Sequence, residues 1–278
     1  LTKTAYPVFL DANPIDPRGR VGDVNRRLEL GRFMMESEYL DKMIVNRMWS
    51  QFMGYGFTKP IDDLGPHKPP SHPVLLDELA KQFRDHSYDL KELIRWIVLS
   101  KPYQLSAEMG PHNQLDDPSV GEVAKFSHFY LRQIQAEELY QSLIVAGQAK
   151  ARGSYEEQEA ERRQWLQQFV VAFGTDEGDE ATTFNGSIPQ ALMLFNGELV
   201  ARATSKEPGS LINQLTRADA RMPEKVTRLY MAGLARRPSR DEMAVAGKLL
   251  AARGGDQAEA LQDLWWAILN SNEFILQH

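Results

Sequence analysis

The sequence of 278 residues predicts an all-α fold: an irregular multi-helix globular domain with long ordered loops and a short extended N-terminal arm. Three observations carry that prediction. Apolar residues recur at three- and four-residue spacing in one segment after another. Ser or Asp followed three positions later by Glu opens several of these segments. No alternating run of six or more residues, of the kind a half-buried strand needs, occurs anywhere.

In chain order, Pro7, Pro14, Pro17, Gly19 and Gly22 are too dense for a helix, so residues 1–22 read as an arm, with 6–10 extended along the domain. Asp23 is placed to cap a helix carrying Leu28, Leu30, Phe33 and Met34, and Ser37 to cap a second that runs to about Met53. Ser71, with Pro73 just behind it, opens a third, whose Leu75, Leu76, Leu79, Ala80 and Phe83 form a buried stripe. Asp89 and Glu92 make a capping box before Leu90, Leu93, Ile94, Ile97 and Val98, and Pro102 stops that helix. The same box recurs at Ser154/Glu157, Ser239/Glu242 and Asp256/Glu259. Further helices are expected at about 134–148, 155–173, 188–205, 208–217, 223–235, 240–253 and 257–273. Gly110, Pro111, Asp116, Asp117 and Pro118 mark 106–120 as a seam. The organisation is therefore an N-terminal lobe at 23–106 and a C-terminal lobe at 107–278, or one continuous domain over 23–278.

Composition is that of a soluble globular protein, with 42% apolar and 25% charged residues. A net charge of -6 with no concentrated Lys/Arg face argues against a nucleic-acid partner. The lack of cysteine removes disulfide scaffolds, thiolate zinc sites, covalent haem and cysteine nucleophiles. No run of about eighteen apolar residues is present, so no membrane span is expected. The start at Leu1 rather than Met leads to the expectation of a piece of a longer protein with its targeting sequence upstream.

The chemistry concentrates between Asn46 and the start of the third helix, where Asn46, Arg47, Trp49, Asp62, Asp63, His67 and His72 share a stretch with Pro60, Pro66, Pro69 and Pro70. So much special chemistry in a connector reads as a defined loop. Asp62, Asp63, His67 and His72 are dense enough to suggest a divalent metal, but their spacing fits no ligand motif, and no metal or other cofactor is expected. The plainer reading has Asp62 or Asp63 accepting N–H groups in the turn before Gly65 and pairing inward with Arg47. Loss of Arg47 would then cost about 1.5–3 kcal/mol. Trp49, Phe52, Tyr55 and Phe57 suggest a sugar-binding platform, against which Ile44, Met48, Phe52 and Tyr55 stand at core spacing. Gly54 and Gly56 read as a helix C-cap and the turn after it.

Elsewhere, Asp176, Glu177, Asp179 and Glu180 lack the donor spacing of a calcium loop. Glu159 and Arg163 make an attractive i,i+4 pair on a solvated face. Asn185-Gly-Ser187 matches a glycosylation sequon, although Ser187 reads better as a cap for the helix containing Pro189. Trp265 and Trp266 point about 100° apart on one helix, so at least one belongs to the core.

These residues add up to a resemblance. Arg26-Arg27-Leu28, Ile44-Val-Asn-Arg-Met-Trp49, Pro60-Ile-Asp-Asp63, Pro70-Ser-His-Pro-Val-Leu-Leu-Asp77, Tyr88-Asp-Leu-Lys-Glu-Leu-Ile-Arg95 and Ser100-Lys-Pro-Tyr103 follow one another as blocks. The later blocks are Ile188-Pro-Gln-Ala-Leu-Met-Leu-Phe-Asn-Gly197, Val226-Thr-Arg-Leu-Tyr-Met-Ala-Gly-Leu-Ala-Arg-Arg-Pro238 and Asp263-Leu-Trp-Trp-Ala-Ile-Leu-Asn-Ser-Asn-Glu-Phe274. In this order they resemble the bacterial, planctomycete-type domain of unknown function fifteen fifty-three, over residues 24–278. The resemblance implies an exported multidomain parent, periplasmic or extracellular, with cytochrome-c-like or carbohydrate-binding modules upstream. It implies no reaction and transfers no catalytic residue. Some relatives carry cysteines before the block at Ile188, and this chain has none, so no thiol-based role carries over.

The resulting expectation is a non-enzymatic interaction or scaffolding module whose partners are other domains of its parent. Two alternatives stand beside it. One is a polysaccharide-directed hydrolase or lyase, metal-assisted or not, using Asp62 or Asp63 with His67 or His72 and with Arg47 on an anionic sugar. The other is a carbohydrate-binding module using Trp49, Tyr55 or the Trp265-Trp266 pair.

Overall fold

The computed structural model describes residues 8–9, 25–148, 153–173, 193–194 and 197–277. Within them the chain is all-α, and it divides into two compact units, Leu1–Tyr130 and Leu131–His278. The division falls at Tyr130/Leu131 rather than within 106–120, because Ala124, Phe126 and Tyr130 are buried in the N-terminal core.

In the N-terminal unit, α1 (Arg26–Glu36) is capped by Asn25, whose Oδ1 accepts from Arg27 N and Leu28 N. The expected cap, Asp23, lies outside the described residues. Ser37 ends α1 and caps α2 (Glu38–Met53), accepting from Tyr39 N as the sequence predicts. Only Phe33 of α1 is buried, stacked on Phe9 at 5.6 Å; Leu28, Leu30 and Met34 are exposed, so the predicted stripe is not a buried one. α3 (Pro73–Asp85) buries Leu76, Ala80 and Phe83 against α2, while Leu75 faces solvent. Ser71 does not cap it: the N-cap is His72, and the Ser71 Oγ is bonded to His72 Nδ1 at 2.9 Å. α4 (Leu90–Leu99) has its Asp89 cap, but Glu92 accepts from Trp96 Nε1 instead of closing the box. Val45, Trp49, Met53, Phe83, Leu93 and Ile97 form the centre of this core.

Two buried polar contacts that the sequence did not announce hold this unit together. Asp41, with its side chain 5% exposed, receives Arg84 Nε at 2.5 Å, and Arg84 also donates to the Ser37 carbonyl, pinning α3 to the start of α2. Asp116, 2% exposed, accepts from Ser127 N and Oγ through one oxygen and from Lys125 N and the Tyr130 hydroxyl through the other. Burial alone would raise its carboxyl, but the Ser127 and Tyr130 hydroxyls and two backbone N–H groups outweigh it and hold it below the usual carboxylate range. Burial, with Asp116 as neighbour, pushes the Tyr130 phenol well up.

The C-terminal unit contains α5 (Ala136–Gly147), α6 (Tyr155–Phe173), α7 (Glu198–Ala203), α8 (Leu211–Arg217), α9 (Met222–Leu234), α10 (Arg240–Ala252), α11 (Gln257–Leu269) and α12 (Asn272–Ile275). These follow the predicted helices within a few residues, with two exceptions: the 188–205 helix is interrupted at Gly197, whose extended backbone starts α7 afresh at Glu198, and the 257–273 helix breaks at Asn270–Ser271 into α11 and α12, Ser271 capping the second. Of the 188–205 helix, 188–192 and 195–196 lie outside the described residues. So do the acidic run with Asp176, Glu177, Asp179 and Glu180, and the sequon at Asn185. Trp165, Ile212, Leu229, Leu261 and Trp265 are fully buried in its core, and Trp265 donates to the Ala203 carbonyl at 3.0 Å. Trp266 is the exposed member of the pair. The one ladder among the described residues joins Arg132–Gln133 to Leu276–Gln277 antiparallel, too short to register as alternation. Ser154/Glu157 and Ser239/Glu242 form complete boxes, whereas Glu259 turns to Lys206. Glu159 pairs with Arg162 rather than Arg163.

Lys225 is 4% exposed, its ammonium donating to Gln257 Oε1 at 2.9 Å and to the Thr216 carbonyl, one of the last carbonyls of α8. Arg236 forks onto both Glu242 and Glu273, joining the ends of α9, α10 and α12. The Arg236 hydrogen bonds, against the cost of burial, hold the Glu242 carboxyl at about 2, where its ordinary value is 4.5. A carboxyl lowered by folding stabilises above its unfolded pKa, and that contribution is lost as the pH falls from about 4.5 towards 2. With the side chain 30% exposed, the contribution at neutral pH is about 1–2 kcal/mol. Urea melts of wild type and Glu242→Gln are expected to differ by that amount at neutral pH. At about pH 3 the gap should be less than half as large.

Candidate functional site

The motif residues lie at the end of α2 and in the loop that follows it. Gly54, at φ 87°, stops the helix, its N–H donating to the Ser50 carbonyl. Two turns before that stop, the α2 face turned to the loop carries Asn46, which is fully buried. Its Oδ1 accepts from Phe57 N at 2.6 Å, and its Nδ2 donates to Thr58 Oγ1 at 2.9 Å and to the Ile61 carbonyl at 2.7 Å. Gly56 lets the chain come this close, since a Cβ there would stand 2.9 Å from the Asn46 oxygen. At the other end of the loop, Ser71 N donates to the Phe57 carbonyl at 2.7 Å, so residues 57–71 are closed at the base and fastened from below.

Arg47, one position on, donates from Nε and NH2 to the two Asp62 oxygens at 2.8 and 2.6 Å. The pairing is the predicted one, but the expected inward burial is not found: the side chains are 51% and 50% exposed. An exposed fork of this kind is worth about 0–1 kcal/mol, so Arg47→Ala is expected to shift a urea melt by no more than that and to leave the loop ordered.

The neighbouring carboxylate points elsewhere, as adjacent positions do. Asp63 Oδ1 accepts from Gly65 N at 3.3 Å and Oδ2 lies 3.1 Å from His67 Nε2. Partial burial works to raise the Asp63 carboxyl, but the Gly65 N–H and His67 outweigh it and hold it low. His67 is mostly exposed, and His72 faces the other way, bonded to Ser71 and edged against Phe126 at 5.4 Å. Asp62, Asp63, His67 and His72 thus take three separate directions. Among the described residues no three His, Asp or Glu side chains gather where they could hold a metal ion.

The aromatic candidates divide in the same way. Trp49 is 3% exposed and packed on Phe57 at 4.8 Å and Phe126 at 5.3 Å, so its ring faces the core and not a ligand. Tyr55 is half-buried, edge-on to Tyr130 at 5.0 Å, with the Lys59 ammonium 5.9 Å from its ring centre. What the loop does offer is a wall. Asp62, Leu64 and Gly65, with Met34, Leu40 and Met43 of α1 and α2, line a largely apolar pocket of about 480 Å³, a size that suits a small ligand or a partner's side chain. The sequence pattern points to the loop but not to the pocket, because much of the lining comes from α1 and the start of α2, where Met34, Tyr39, Leu40 and Met43 carry no special signal.

A family model described as PSD1, protein of unknown function (DUF1553), matches residues 26–250, which includes every motif residue of this loop. The chain belongs to this family. The DUF1553 match stops short of the block at Asp263–Phe274. No curated protein and no solved structure matches the chain. Among the described residues of this DUF1553 chain, no helix is long and apolar enough to cross a membrane.

Proposed function

We propose that this DUF1553 chain is a non-catalytic helical interaction module of an exported, periplasmic or extracellular multidomain protein, and that it seats other domains of the same parent. One observation carries the reading: the polar side chains of α2 that stand as candidates for binding a ligand are committed to the loop itself. Asn46 spends all three of its bonds on residues 57–61, and Arg47 spends its fork on Asp62. What they hold in place is an apolar-walled surface, a form suited to docking. The test is calorimetric titration of the purified chain with each other domain of its parent. Association with a Kd in about the micromolar range, weakened by Leu40→Arg in the pocket wall, supports the reading; no heat from any domain at about 100 μM overturns it.

The Asp63–His67 contact favours one second reading, a polysaccharide-directed hydrolase or lyase. A carboxylate that fixes an imidazole at 3.1 Å is the arrangement a general base needs. Release of reducing ends from a panel of polysaccharides, present in wild type and abolished in His67→Ala, would establish it. Turnover that is absent, or unchanged in the variant, removes it.

A further inference from the structure

We draw no further inference here: the strongest candidate, the apolar pocket of about 480 Å³ between α1, α2 and the Asp62–Gly65 turn, carries nothing because nothing in the structure shows what covers it.

Discussion

Asn46→Ala is expected to cost about 2–3 kcal/mol and to release the loop that follows α2. Deleting the amide removes the acceptor for Phe57 N, a donor in a residue only 2% exposed, and an orphaned buried donor costs about 1–3 kcal/mol by itself. The Ile61 carbonyl suffers less, because the Thr58 hydroxyl already donates to it at 2.9 Å. A small void at a fully buried position adds the remainder. Asn46→Asp is the sharper variant. It keeps the acceptor for Phe57 but sets a carboxylate oxygen against the Ile61 carbonyl, so at neutral pH it should do no better than Ala. Urea melts give the magnitude, and amide exchange at Phe57 and Ser71 gives the location. Protection lost at those two amides, with the α3 amides still protected, is the signature of loop release. A change under about 0.5 kcal/mol would mean that Asn46 does not hold the loop.

The contrast with Arg47 shows what could be read from the sequence here and what could not. Both residues stand out because an Asn and an Arg precede a Pro-rich loop containing two Asp, and that sequence predicts the fork from Arg47 to Asp62. Its exposure is not predicted, since the burial of position 47 depends on which face of α2 meets α3, and the pattern of Ile44, Met48 and Phe52 leaves that open by one residue. The buried member proved to be Asn46, in company with Val45, Trp49 and Met53. Caps were legible because their partners are two or three residues away: Ser37, Asp89, Ser154 and Ser239 all accept as expected. Contacts that close over long separations carried no local signal. Asp116 meets Tyr130 fourteen residues on, Arg236 meets Glu273 thirty-seven on, and Lys225 finds Gln257 on another helix. Each of these pairs includes a charged residue that, taken alone, reads as ordinary surface charge.

Arg84→Ala is the second change expected to be costly, at about 2–3 kcal/mol. Asp41 is the reason. Its carboxylate is 5% exposed, Arg84 is the cation that holds its Oδ2, and its Oδ1 has no hydrogen-bond partner among the described residues. The guanidinium is itself 40% exposed and bound so tightly to Asp41 that its pKa is raised, so the desolvation cost of the pair is borne mostly by the carboxylate. Removing Arg84 leaves that charge buried without compensation, the circumstance in which breaking a buried pair costs several kcal/mol. The solvent access on the arginine side brings the figure to the lower end of that range. The same argument predicts the rescue. Asp41→Leu in the Arg84→Met background removes the orphaned charge and fills the space between α2 and α3 with apolar atoms, and should recover most of the lost stability. If the double variant is no more stable than Arg84→Ala, the loss comes from the Arg84 contact with the Ser37 carbonyl, which neither variant restores.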